Sequence, residues 1–276
     1  MQKTIIEQVH PDLVWWRSVL INLNLNIENT FGDFQSNEYK PNLSTILVLA
    51  LKKADNKNNP NYTENVAEKA YDSVASKYDL TTKSVNYGIP AWLNTKIQKY
   101  SKYSPIILDM GCASGNLAEL LVASSVSPCK LYGADISSSM LEVARRKNIY
   151  DALIKWDLNQ GFNEPSTLYF DLILAIGFSE FLKEPAAFLT DTRRLLQIGG
   201  ELLMSFESDV HGKKTTLIEL PFGRLIRKAY SKLAVEQLMH DAGFALESLE
   251  HIDAYVSPTT EEHVSYWVCQ ARKKGL

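Results

Sequence analysis

Six side chains that bind polar groups or move protons sit at or just beyond the ends of apolar runs: Asp109, Asp135, Asp157, Glu180, Glu207 and His211. Asp109 closes Ile106-Ile107-Leu108 and is followed by the small-residue turn Gly111-Cys112-Ala113-Ser114-Gly115. A carboxylate there repels a pyrophosphate and attracts a cationic amino group. Asp135 ends Lys130-Leu131-Tyr132-Gly133-Ala134. It lies about two dozen residues past the glycine turn, where a βαβ unit sets a carboxylate on ribose hydroxyls. Asp157 ends a third run, Ala152-Leu153-Ile154-Lys155-Trp156. The later three are candidate general bases for removing an acceptor's proton. Glu180 follows the run 170–178, Glu207 ends the run 201–206, and His211 lies in the loop beyond. Histidine titrates near neutral pH and is the better intrinsic base, but the sequence leaves the choice among the three open.

The elements that would hold these groups alternate strand and helix. Residues 106–110 read as a short strand, the glycine turn as a tight bend, and 116–122 as an amphipathic helix. A turn of this kind exposes backbone N–H groups beside a groove. Ser137 caps a second helix whose apolar face is Met140, Leu141 and Ala144. The run 170–178 is apolar almost throughout, as a parallel strand covered on both faces should be. Pro185 opens a third helix with the face Phe188, Leu189, Leu195 and Leu196, which Gly199-Gly200 would end. A further strand follows at 201–207. The dinucleotide fingerprint G-x-G-x-x-G does not fit, because Ala113 replaces the middle glycine and the final x-x-Gly is missing.

The turn, the two following acids and the string "RRLLQIGGELLMSF" together resemble the class I S-adenosylmethionine-dependent methyltransferases. Their first motif is written D-x-G-x-G-x-G and their late signature R-x-L-x-P-G-G-x-L; here Ala113 and Ile198 depart from the pattern. The resemblance implies a doubly wound, mostly parallel seven-stranded sheet with helices on both faces. It implies that Asp109, Gly111, Cys112 and Gly115 bind the cofactor, Cys112 as a small turn residue. Asp135 would accept from both ribose hydroxyls, Ile136 and Met140 would pack on adenine, and Asp157 would accept from the adenine amino group. Leu158 and Ile176 fall among the lining positions. The helix read from "NVAEKAYDSVASKYD" resembles one that closes over the cofactor in many small-molecule methyltransferases, which brings Tyr71 or Tyr78 to its methionine end. Simple coverage of the sheet is an equal reading of that helix.

The chain has 276 residues, 45% of them hydrophobic, enough for one large core with a small appendage. A net charge of -3 argues against a dedicated nucleic-acid binder. Cys112, Cys129 and Cys269 show no metal spacing and fit a reduced, cytoplasmic setting. No apolar run approaches the roughly 20 residues that cross a bilayer. A polar Asn/Pro stretch near residue 60 divides an appendage, 1–60, from the domain 61–276. "VLINLNLNIEN" and "STILVLALKKAD" read as strands laid out like the closing hairpin of the domain, as though 1–53 were the tail of a preceding domain.

The expected activity is methyl transfer to a small-molecule acceptor, with oxygen favoured over carbon or nitrogen. If the tail inference holds, the domain comes from a polyketide or peptide assembly line of natural product biosynthesis, with its substrate on an acyl or peptidyl carrier protein. Residues 208–230, where relatives carry substrate-recognition elements, lean basic through Lys213, Lys214, Arg224, Arg227 and Lys228, which would suit an acidic partner. No metal, nucleic-acid or membrane partner is expected. The rival readings are a non-catalytic S-adenosylmethionine-binding module and a nicotinamide-dependent oxidoreductase.

Overall fold

The computed structural model describes residues 65–85, 87–161, 168–210, 215–220, 223–256 and 263–275. The expected amino-terminal strands and His211 lie outside these residues. The described residues begin with helices α1 (Val66–Val74) and α2 (Tyr78–Ser84), joined by a 3-10 turn, then α3 (Ile89–Ile97). Strand β1 (Ile106–Met110) leads through the glycine turn to α4 (Asn116–Ala123). There follow β2 (Lys130–Asp135), α5 (Ser138–Lys147), β3 (Ala152–Lys155), β4 (Phe170–Ala175), α6 (Pro185–Leu195) and β5 (Leu196–Glu207). A hairpin of β6 (Thr216–Leu220) and β7 (Gly223–Arg227) precedes α7 (Lys232–Asp241), β8 (Phe244–Val256) and β9 (His263–Lys273).

Seven strands form one sheet in the order β3-β2-β1-β4-β5-β9-β8, and only β9 pairs antiparallel to its neighbours. The chain runs outward from β1 through β2 to β3, then returns to add β4 on the other side. The crevice beyond the tips of β1 and β4 is therefore the switch point at which open α/β sheets bind ligands.

The apolar periodicity explains both covers of the sheet. Trp92, Leu93 and Ile97 of α3 and Ala118 and Leu121 of α4 bury one face together with Ile107, Leu172, Leu174 and Leu203. On the other face Met110 meets α6, where the Thr192 hydroxyl reaches its sulfur. Ser137 and Ser231 cap α5 and α7 by accepting from the backbone N–H three residues on. The Gly199-Gly200 pair does not end α6. That helix stops at Leu195, and the glycines lie inside β5, where the pairing with β4 slips between Phe170 and Leu172. Gly200 is required by crowding, since a Cβ would sit 2.8 Å from the Phe170 carbonyl oxygen. Among the described residues no helix is long and apolar enough to cross a membrane.

At the opposite end from the crevice, Glu201 is buried at the foot of the sheet. Its carboxylate accepts from Lys99 (2.6 and 2.5 Å), Tyr100 (3.0 Å), Gln270 (3.2 Å) and Arg272 (2.5 Å). It ties the 3-10 turn that follows α3 to β5 and β9. Because Lys99 and Arg272 remain about 40% exposed and can return to water, Glu201→Ala should cost about 2 kcal/mol rather than more. Urea unfolding at neutral pH would measure it, and a loss under roughly 0.5 kcal/mol would deny the anchor.

Candidate active site

The turn after β1 is left-handed at alternate residues: φ is 68° at Gly111, 45° at Ala113 and 88° at Gly115. Gly111 also lies against Phe178, whose ring carbon would be 2.5 Å from an added Cβ. Ala113 tolerates its conformation at a cost of roughly 1 kcal/mol, which is how the departure from the glycine pattern is accommodated. The expected free N–H groups are largely engaged. Gly111 and Cys112 both donate to the Ala134 carbonyl (2.7 and 3.0 Å), and Gly115 donates to Cys112 (2.8 Å). Ala113 donates to Asp135 Oδ2 at 2.9 Å. The turn therefore presents carboxylates to the crevice rather than an amide cradle for phosphate.

Asp109 is fully buried; the Tyr150 hydroxyl donates to its Oδ2 at 2.6 Å, and its Oδ1 has no hydrogen-bond partner. Burial pushes this carboxyl up to about 7 against the Tyr150 hydrogen bond, with the nearby Asp135 charge adding to the rise. Asp135 bridges two loops, accepting from Ala113 N and, through Oδ1, from Ser137 N at 2.8 Å. Burial lifts it to about 6, opposed by those same amides. Asp157 caps the turn at Leu158–Gln160 through Asn159 N and accepts from Asn65 Nδ2 at 3.1 Å. Ile136 and Leu158 are partly exposed at the strand tips, whereas Met140 and Ile176 are buried in the core. Cys112 is buried beside Gly133, and burial pushes its thiol far up.

Helices α1 and α2 run across the strand tips and are fastened there by polar side chains. Asp72 accepts from Ser137 Oγ (2.5 Å) and Ser139 N (2.9 Å), and these bonds hold it below the usual carboxylate range although burial opposes its charge. Asp79 accepts from Ser114 in the glycine turn and pairs with Lys147 at 2.9 Å. Glu68 pairs with Lys155 at 2.7 Å. On the inner side Tyr71 stands edge-on to Tyr78 and Phe181, with centroids 6.4 and 6.0 Å away. Burial raises the Tyr78 phenol, and the charges of Asp135 and of a second acidic group at Glu180 raise it further.

That second group joins two of the three candidate bases. Glu180, in the turn Ser179–Phe181 after β4, is 3% exposed; Tyr266 donates to Oε1 at 3.3 Å, and Oε2 has no hydrogen-bond partner. Glu207, at the end of β5, is fully buried and receives Arg227 Nε on Oε2 at 2.5 Å. Burial, then the Glu207 charge, lifts Glu180 to about 7, against the pull of Arg227. The β6–β7 hairpin carries Arg227 inward, away from the basic surface expected at 208–230. The hairpin itself was legible in the apolar run Thr216–Leu220 followed by Pro221 and Gly223. Tyr150, Asp72 and Asp79 carry no motif in the sequence, and Arg227 reads there only as one charge of a basic surface. His240 is exposed, and His251 rests on Trp267 and Ser208. Among the described residues no cluster of three or more His, Cys, Asp or Glu is placed to hold a metal ion.

Residues 108–202, from β1 into β5, match the family model described as a methyltransferase domain. This part of the chain is similar to a methyltransferase domain and carries the order of strands and acids expected of the class I S-adenosylmethionine-dependent methyltransferases. Over 146 residues it is 30% identical to a demethylmenaquinone methyltransferase of Thermotoga maritima, covering 51% of this chain and 62% of that protein. Over 104 residues it is 32% identical to a mitochondrial ubiquinone biosynthesis O-methyltransferase of Candida albicans, covering 36% of this chain and 31% of that one. The chain thus spans less than two thirds of the length of either relative. A solved S-adenosylmethionine-dependent methyltransferase of Methanosarcina mazei shares the fold, with TM-score 0.52 and 17% identity over 65% of this chain and 97% of that one.

The buried acids of this methyltransferase domain give it a pH signature. Asp109 titrates at about 7 when folded against an ordinary 3.8. The folded state then holds a proton that the unfolded chain has lost, so this residue's contribution falls as pH rises from about 4 to about 7. Asp109→Asn removes that dependence. Urea unfolding of the ligand-free protein across the interval should show the variant gaining on the parent as pH rises; a constant difference would refute the shift.

Proposed function

We propose that the chain transfers a methyl group from S-adenosylmethionine to a small molecule bearing an ionisable hydroxyl, with oxygen as the methylated atom and Glu180 as the base. The observation that carries this reading is the Glu180 carboxylate. It is buried at the tip of β4, one oxygen is without a donor, and it titrates at about 7. A base of that strength takes a proton from a phenol or enol near neutral pH far better than an ordinary glutamate.

The residues of the crevice suit the donor. Asp109 Oδ1 is a buried acceptor without a donor, suited to an ammonium group. Asp135 would take the ribose hydroxyls and Asp157 the adenine amino group. Gly111, Cys112 and Gly115 would admit the methionine chain beside Tyr78, while Ile136, Met140, Leu158 and Ile176 would form the apolar walls. S-adenosylmethionine supplies a methyl group on a sulfonium, whose carbon–sulfur electron pair stays on sulfur as the acceptor's lone pair makes the new bond. The protein's part is alignment and removal of water. Phe178 on Gly111, and Tyr71 against Phe181, close the space between the two sets of acids. Glu180 Oε2 receives the hydroxyl proton, so the rate should rise with pH through about 7.

One curated relative is named for demethylmenaquinone and the other for ubiquinone biosynthesis, which supports an aromatic hydroxyl-bearing acceptor. The Candida name supports oxygen. A ring carbon is the second reading, favoured by the demethylmenaquinone named in the Thermotoga relative; loss of the same phenolic proton activates either atom.

Two variants test the assignment. Asp135→Asn should weaken S-adenosylmethionine binding roughly tenfold or more in a calorimetric titration, with an unchanged circular dichroism spectrum. Retained affinity would remove the cofactor site from this crevice. Glu180→Gln should lower kcat about 10²- to 10⁴-fold on hydroquinone or catechol acceptors while cofactor affinity holds. Near-parental turnover would exclude Glu180 as the base.

A further inference from the structure

Two buried glutamates face one guanidinium, and the three are not equivalent. Arg227 Nε is 2.5 Å from Glu207 Oε2, while Glu180 Oε1 accepts from the neutral Tyr266 hydroxyl at 3.3 Å. Arg227 comes from β7, whose carboxyl end is laced to both acids by the backbone: Lys228 N donates to the Glu180 carbonyl, and Tyr230 N to that of Glu207, each at 2.8 Å. The start of β7 is seated on α1, where an added Cβ on Gly223 would meet Val66 at 2.8 Å. The hairpin is thus held at both ends with its arginine turned inward.

We propose that Arg227 is a positioning residue which locks Glu207 as its permanent counter-ion and leaves Glu180 as the proton acceptor. The inference rests on the methyl-transfer reading for its chemistry, but not for its electrostatics. A carboxylate held by a guanidinium is stabilised as the anion and is a poor base, whereas one against a neutral hydroxyl keeps its proton affinity. The other groups facing Glu180 are Tyr255 and Tyr266 from β8 and β9, Tyr230 before α7, and Tyr71, Tyr78 and Tyr87 from the amino-terminal segment. All six phenols are pushed above their ordinary value, burial being the leading cause, so they stay neutral where Glu180 titrates. The balance at Glu180 is then between one anion and one cation.

A charge cycle reads this directly in the ligand-free full chain, by infrared titration of ¹³C-labelled glutamate carboxyls, with Glu180→Gln identifying the Glu180 band. Glu207→Gln should move the Glu180 midpoint down by one pH unit or more, because it leaves Arg227 unopposed. Arg227→Met should move full ionisation of the pair up by a similar amount, and Arg227→Lys should restore the parental midpoint. The double variant Glu207→Gln/Arg227→Met should titrate near the parent, which also guards against misreading a merely destabilised single variant. A Glu180 midpoint indifferent to both single substitutions would overturn the proposal, as would one moving the same way in both. On an active acceptor, the acid limb of kcat/KM should follow the same shifts. A correct infrared cycle with no methyl transfer on any acceptor would leave the positioning role standing and count against the functional reading alone.

Discussion

The site depends on one costly arrangement, the burial of carboxylates at the carboxyl tips of parallel strands. Asp135 shows how the cost is met. Its two oxygens accept one backbone N–H from the turn after β1 and one from the start of α5. That single side chain fixes the glycine turn relative to the second helix. Without it the turn, held at positive φ through Gly111, Ala113 and Gly115, would lack its lateral support. Asp109 meets less of its cost, having one hydroxyl on one oxygen and nothing on the other. A buried acceptor left short in the ligand-free protein is what a cationic ligand group would satisfy, and the fold maintains it because the remaining core is large enough to bear the loss.

The helices over the crevice are attached differently. Their contacts are side chain to side chain at a partly exposed rim: Asn65 to Asp157, Glu68 to Lys155, Asp72 to Ser137 and Asp79 to Lys147. Single polar contacts of this kind contribute about 1 kcal/mol apiece. The sheet is held instead by fully buried aliphatic side chains such as Leu93, Leu121, Leu172 and Leu174. The cover and the core therefore belong to different ends of the stability range, and local opening of the cover need not disturb the strands. On the inner aromatic side of the cover Tyr71 stands edge-on to both Tyr78 and Phe181, and the charges of Asp135 and Glu180 both raise the Tyr78 phenol.

The Glu180–Glu207 pair poses an electrostatic problem rather than a shape problem. Two anions and one cation share a space lined by phenols, and burial alone raises the affinity of Glu180 for a proton. The hairpin that brings the cation is not part of the main sheet. The surroundings of the pair can thus change through an appended element, without disturbing the strands that carry the crevice acids.

Much of this was present in the residue order. Apolar runs ending in Asp109, Asp135 and Asp157, separated by amphipathic helices, are enough to specify a parallel sheet and the acids at its tips, because strand period, helix period and capping are local properties. The Ser137 cap and the apolar strand at 170–175 followed directly. The end of α6 did not, because glycines that commonly stop helices here relieve crowding inside β5 against the Phe170 carbonyl. Sequence could propose Glu180, Glu207 and His211 as bases but could not rank the two glutamates. Their difference is which one a guanidinium 20 or more positions away touches, and whether a hydroxyl from β9 reaches the other. Tyr150 on Asp109 and Asp72 on α5 escaped for the same reason. Local pattern determines which face of an element is apolar; proton affinity depends on burial and on neighbours that only the folded chain brings within a few ångströms.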